Sequence, residues 1–245
     1  MEDREFSEPQ DDENWTRADA YFDILAHDVT NLISPIMVHA EFITLDKELP
    51  REARMSAAKI VRLIRRTANF ILSFRMLHEV TSKPPGAPSP FDIRGLVKIM
   101  RVTVASEYPF KRPSISVDAP EGPPPEVLGA EFLGRMVMGL VDNAVRNASR
   151  VEVNVGLSLH RVESDDGSGV WRCEVVDDGP GIPDEVKAEL VLPFETSKRL
   201  TRRSPSSLMF YSAILERLGG RLRIEDRVPG NMSMGTRAVI EVPVV

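Results

Sequence analysis

The chain has 245 residues, of which 42% are hydrophobic and 28% charged, with 31 Lys and Arg against 37 Asp and Glu for a formal charge of -6. That length corresponds to one or two domains of about 150 residues, and the mild acidic excess gives no electrostatic case for nucleic acid or an anionic membrane as a partner. A single cysteine, Cys173, excludes an intramolecular disulfide, no cysteine and histidine cluster has zinc-ligand spacing, and no apolar run approaches the roughly 20 residues of a spanning helix, so a cytoplasmic protein is expected.

Residues 1–14 carry seven acids (Glu2, Asp3, Glu5, Glu8, Asp11, Asp12, Glu13) and almost nothing to bury, which reads as a disordered, solvated tail. Over residues 15–45 the apolar Phe22, Leu25, Val29, Leu32, Ile36 and Ile43 recur at heptad-like spacing. That is the seam of a helix that packs lengthwise on others, with Pro35 as a kink inside it. After a turn at 47–50, a second helix over 51–80 sets Ala57, Ile60, Ile64, Thr67, Ile71 and Leu77 on one face. A hairpin over 15–80 cannot cover both sides of its own seam, so a homodimer closing into a four-helix bundle is expected.

Residues 81–90, TSKPPGAPSP, break any helix and mark a linker. The second domain, 91–245, is predicted to run helix (93–106), strand (114–118), helix (130–147), strands (151–159 and 170–177), a loop-rich stretch, helix (207–218) and strands (221–226 and 236–242). That order gives a fold class of α + α/β, a helical hairpin followed by an α/β sandwich.

The heptad frame puts His27 opposite the seam, facing water, where two different partners can reach it. Asp28 can accept a hydrogen bond from one ring nitrogen, fix the tautomer and leave the other nitrogen as a nucleophile; Asn31 lies one helical turn on. Taken alone, an exposed polar helix face explains the same residues. His39, His78 and His160 lack such neighbours and read as structural or surface histidines. Asn143 sits on an apolar helix, either as a satisfied core polar group or as a ligand, and the DDGPG around Asp177 is both an ordinary turn and a loop that ends a strand on a carboxylate.

In this order, AHDVTNLISP around His27, GLVDNAVRN around Asn143, VVDDGPGIP around Asp177 and LPFETSK ending at Lys198 make residues 15–245 resemble the catalytic core of a two-component sensor histidine kinase. The resemblance implies a dimerisation and histidine-phosphotransfer hairpin, then a GHKL-type ATP-binding domain of the kind shared with gyrases. ATP and Mg²⁺ are the implied cofactors, and a response-regulator receiver domain is the implied partner. His27 becomes the phosphorylated residue, helped by Asp28. Asn31 would orient water when the partner is dephosphorylated. Asn143 would hold Mg²⁺ through a single amide oxygen, with Asn147 assisting. Asp177 would accept from the adenine amino group beside Gly179 and Gly181, Pro193, Phe194 and Thr196 would anchor the ATP lid with Lys198 on phosphate, and Gly235 and Thr236 resemble the family's closing pair.

The chain departs from the pattern twice. The family's asparagine four residues before Asn143 is Gly139 here, and the lid glycines fall on Pro205 and Ser207. Proline removes a backbone donor and a side chain obstructs close approach, while Arg199, Arg202 and Arg203 offer phosphate-binding charge instead. Three readings follow: an active histidine kinase, a histidine phosphotransferase with an ATP-silent domain, and a non-catalytic dimeric adaptor for receivers. No sensory domain is legible, so a separate sensor protein is an expected partner.

Overall fold

The structure, a computed structural model, describes residues 10–82, 86–163, 169–190 and 207–244. The chain divides into two compact units, Met1–Lys83 and Pro84–Val245.

The first unit is a helical hairpin of α1 (Gln10–Leu45) and α2 (Arg51–Ser82), packed against each other and tied by an ion pair between Arg65 Nη2 and Glu41 Oε1 at 3.0 Å. The expected acidic tail is shorter than the sequence implied, because residues 10–14 are already helical. Pro35 lies within α1, which continues past it as one helix.

The seam also differs from the expectation. On α1 the most enclosed residues are Ala26 and Ala40, with Val29, Ile33 and Met37 half-buried. Of the predicted seam, Leu25 and Leu32 remain 61% and 68% exposed, and Ile36 and Ile43 are exposed too. Small residues let two helices approach closely, so α1 turns its alanine stripe inward and leaves the larger apolar stripe facing outward. No helix among the described residues is long and apolar enough to cross a membrane.

The second unit opens with a two-residue ladder between β1 (Ser89–Pro90) and β3 (Glu126–Val127) and is built on a five-stranded mixed sheet. Its strands are β2 (Arg112–Asp118), β4 (Glu152–Glu163), β5 (Gly169–Asp177), β6 (Arg221–Val228) and β7 (Asn231–Pro243), in the order β2-β4-β5-β7-β6. Only β2 and β4 pair in parallel. Helices α3 (Ile93–Glu107), α4 (Ala130–Asn147) and α6 (Ser207–Arg217) pack on β2, on β4 and β5, and on β6 respectively. Alternate residues of the sheet (Val153, Val155, Leu157, Leu159, Cys173, Val175, Ala238, Ile240, Val242) are buried in the core they share. The loop-rich stretch expected after β5 contains a helix, α5 (Asp184–Leu190), started by Pro183 and the acids Asp184 and Glu185 and pinned to β6 by Lys187 on Asp226.

The other face of the sheet carries a continuous ionic lattice. Glu241 on β7, only 2% exposed, accepts from Arg172 Nε at 2.8 Å on β5, from Arg223 Nη2 at 3.2 Å and from Arg221 on β6. Arg223 continues to Glu225 at 3.1 Å, and Arg237 joins Glu225 to Glu174. Burial alone would raise the Glu241 pKa, but hydrogen bonds from Arg221 and Arg172 and the charge of Arg223 outweigh it and hold the carboxyl below its ordinary 4.5. A depressed carboxylate contributes stability that is complete above its unfolded value and is lost as pH falls through the folded one. Glu241→Ala, which removes the carboxylate shared by three arginines, is expected to cost about 3 kcal/mol in chemical denaturation at neutral pH. In Glu241→Gln, part of the acid sensitivity below pH 4.5 should disappear, as read by melting temperature against pH.

Candidate functional site

Two constellations stand out, one in each unit. On α1, His27 and Asp28 side chains are both mostly exposed, with Nδ1 of His27 3.4 Å from Asp28 Oδ1. The Asn31 amide, one turn on, lies 3.1 Å from Nδ1 and 3.3 Å from Nε2. The imidazole cannot satisfy all three at once. With the proton on Nδ1 directed at Asp28, Nε2 keeps its lone pair, and Asn31 can donate to it only until an electrophile arrives. The helix periodicity that put His27 off the alanine stripe thus gives an oriented, accessible nucleophile.

The second constellation forms along α4 and at the ends of β5 and β7. α4 has three stripes. Leu133, Met136, Val137, Leu140, Val141, Ala144 and Val145 are core; Gly139, Asp142, Asn143 and Arg146 are half-buried; Asn147 is exposed. The half-buried stripe is an ionic and amide network. Arg146 donates to Asp142 Oδ2 at 3.0 Å and to Asn143 Oδ1, while the Tyr108 hydroxyl on the segment after α3 donates to Asp142 Oδ1 at 2.5 Å. Asn147 Nδ2 donates to the Asn143 carbonyl at 2.9 Å, so its amide is committed to the helix end. Lys111 donates to the carbonyls of Val145 and Ala148 and caps the same end.

At the end of β5 the two acids of DDGPG separate. Asp178 accepts from Asn154 N at 3.1 Å and Nδ2 at 2.8 Å on β4. Asp177 Oδ1 accepts from Gly179 N at 2.8 Å and, across to β7, from Thr236 N at 3.3 Å. Two glycines make this possible. Gly181 has φ +75° and a Cβ there would collide with the Met232 carbonyl, while Gly235 has φ +111° and a Cβ there would collide with the Asp177 carbonyl. Burial is the largest influence on Asp177 and raises its pKa, opposed by the Gly179 and Thr236 N–H groups.

Asp177, Gly179, Gly181, Gly235 and Thr236 therefore form one cluster, and Asn143 and Asn147 share one helix turn with Arg146. His27, Asp28 and Asn31 belong to the other unit. Pro193, Phe194, Thr196, Lys198, Arg199, Arg202, Arg203 and Pro205 lie outside the described residues. Sequence reasoning missed Asp142, Arg146 and Tyr108, although an acid four residues before a base on one helix is a legible pairing signal. The Asn143 amide oxygen is a hard-cation ligand by type, such as Mg²⁺ prefers, although Arg146 occupies it here, and a half-buried carboxylate fixed by two N–H groups suits a purine amino donor.

Residues 129–245 match the family model of the histidine kinase-, DNA gyrase B-, and HSP90-like ATPases. The signal transduction histidine-protein kinase/phosphatase MprB of Mycolicibacterium vanbaalenii is 35% identical over 118 residues, 46% of this chain and 23% of that protein. Nitrogen regulation protein NtrY of Azorhizobium caulinodans is 24% identical over 236 residues, 87% of this chain and 28% of that protein. The chain thus spans less than a third of either curated relative. Among solved structures, full-length ShkA in complex with AMPPNP gives a TM-score of 0.55 at 18% identity, covering 91% of this chain and 45% of that one. Histidine kinase ThkA in complex with response regulator protein TrrA gives 0.54 at 17%, covering 90% and 60%. The histidine kinase AdeS of Acinetobacter baumannii gives 0.53 at 17%, covering 86% and 95%. At these identities the structural likeness is one of fold, a helical hairpin followed by an α/β sheet.

A carboxylate whose folded pKa is raised lowers stability as pH climbs from its ordinary 3.8 through the raised value. Asp177→Asn keeps an oxygen for both N–H groups and removes the buried charge. It is expected to melt no lower than wild type at pH 7, with the difference vanishing under acid conditions, in a thermal scan against pH.

Proposed function

We propose that this chain, whose residues 129–245 match the family model of the histidine kinase-, DNA gyrase B-, and HSP90-like ATPases and whose fold is like that of histidine kinase catalytic cores, is an ATP-dependent protein-histidine kinase of a two-component system. The observation that carries this reading is His27, an exposed imidazole with a carboxylate at Nδ1 and Nε2 left for attack, in the same chain as the ATPase-family domain.

In this reading Asp177 accepts from the adenine amino group, Asn143 Oδ1 is the protein ligand of Mg²⁺, and Asn147 and Lys198 lie toward the phosphates. Bound Mg²⁺-ATP supplies the phosphoryl group and the cation that offsets its charge. A divalent ion held by Asn143 Oδ1 would have to displace the Arg146 guanidinium from that oxygen, and Asp142 would retain Arg146 nearby. His27 Nε2 forms the new N–P bond to the γ-phosphorus as the bond to the β-phosphate oxygen breaks, and Asp28 stabilises the proton on Nδ1. The phosphoryl group then passes to an aspartate of a receiver domain, and Asn31 positions water for the reverse, phosphatase, direction.

The outward apolar stripe of Leu25, Leu32, Ile36 and Ile43 supports a homodimer, since a second hairpin would cover it in a four-helix bundle. We assign the dimerisation and phosphotransfer role to 15–80 and the nucleotide role to 91–245, in the cytoplasm, with a separate sensor protein supplying the signal. Pro205 and Ser207, standing where the family carries lid glycines, favour a second reading: a phosphotransferase, or a receiver-binding adaptor, with a silent ATP domain.

Incubation with γ-labelled ATP and Mg²⁺ should give acid-labile label that is abolished in His27→Ala and reduced at least about 100-fold in Asn143→Ala, as befits loss of a metal-positioning group in phosphoryl transfer. A folded wild type that takes no label from ATP but accepts it from a phosphorylated receiver establishes the phosphotransferase, and one that does neither leaves the adaptor.

A further inference from the structure

Two glycines of the α4 region are filled from α6 and its end. A Cβ at Gly129, which precedes α4, would lie 2.7 Å from Leu218 Cδ1, and a Cβ at Gly139 would overlap Tyr211 Oη and lie 3.2 Å from Tyr211 Cζ. As the α4 number rises from 129 to 139 the α6 number falls from 218 to 211, so the two helices run antiparallel. Carried one turn further, Ser207 in the first turn of α6 and Asn143 on α4 each lie about 6 Å along their own axes beyond the Tyr211–Gly139 contact. The positive end of the α6 dipole is therefore on the Asn143 side of that contact.

Gly139 is specific to this contact. Glycine is disfavoured in a helix interior, and Gly134 on the same helix has open space around it, whereas the notch at Gly139 holds a phenol whose ring is 4% exposed. Oη reaches the half-buried stripe that continues through Asn143, while the ring shares the core face of α6 with Leu208 and Ile214.

We propose that Tyr211 is a positioning residue of the nucleotide site: its phenol, seated in the side-chain-free notch at Gly139, holds the first turn of α6 on the Asn143 side of α4 and so sets the affinity for Mg²⁺-ATP. This rests on the nucleotide reading of Asn143 and Asp177 given above. Residues 139 and 211 act as a matched pair, in which a side chain at 139 and a hydroxyl at 211 exclude each other.

The test is calorimetric titration of the full chain with Mg²⁺-ATP, alongside thermal unfolding, for wild type, Tyr211→Phe, Gly139→Ala and the double variant. Tyr211→Phe keeps the ring in the core, and its Kd should rise about 3- to 10-fold, the scale of one lost hydrogen-bonding group. Gly139→Ala, which drives Oη out of the notch, should weaken binding further. The double variant should bind no worse than Gly139→Ala, because removing the hydroxyl relieves the overlap. A wild-type Kd in Tyr211→Phe, with or without a lowered melting temperature, overturns the proposal by reducing the phenol to packing. Strictly additive losses overturn the matched pair. No binding by folded wild type overturns the nucleotide reading itself, and this proposal with it.

Discussion

The central strand β5 is the constraint on which the second unit depends, because it pairs on both sides and its residues must serve two environments at once. Inward, Cys173 and Val175 continue the apolar layer under the helices. Outward, Arg172 and Glu174 enter an ionic lattice whose centre, Glu241, is buried beneath guanidinium groups. A buried carboxylate is tolerable only when its oxygens are fully engaged, which three arginines from β5 and β6 achieve. Where β5 ends, the same antiparallel pairing with β7 brings the Thr236 N–H to Asp177. The lattice that stabilises the sheet and the acid that equips the site are thus consequences of one register.

The two carboxylates are held in opposite senses. Glu241 is stabilised as an anion by surrounding positive charge, whereas at Asp177 the hydrogen bonds from Gly179 and Thr236 do not outweigh burial and the pKa stays raised. The burial tolerated at Asp177 is unfavourable to its charge. The stability needed to hold it comes from the far face of the sheet.

The long elements were legible because their patterns are local. α4 announces itself through Leu133, Met136, Val137, Leu140, Val141 and Ala144 at helical spacing, and β4 and β5 through alternation. What depended on distant partners was not. The β1–β3 ladder is two residues long and exists by virtue of its pairing, and α5 is too short for a periodicity to register. The arginines and glutamates of β6 and β7 read as ordinary surface charge, since only the register reveals that Arg221, Arg223 and Arg172 converge on Glu241. The heptad reading of α1 found the apolar stripe but not which stripe faces α2, because heptad spacing is blind to the closeness that Ala26 and Ala40 allow.

At the candidate site the division is the same. His27, Asp28 and Asn31 are neighbours on one helix, so their mutual geometry follows from the chain order alone. Gly235 and Thr236 could be noticed as a pair, yet their meaning lies in the Asp177 carbonyl and carboxylate 58 and 59 positions earlier. Gly139 is the sharpest case. In the sequence it is a missing polar side chain, a loss. In the fold it is the space into which another residue's phenol enters, from α6. Any account of whether the nucleotide end of this domain works has to treat α4 and α6 as a pair rather than score their motifs one by one.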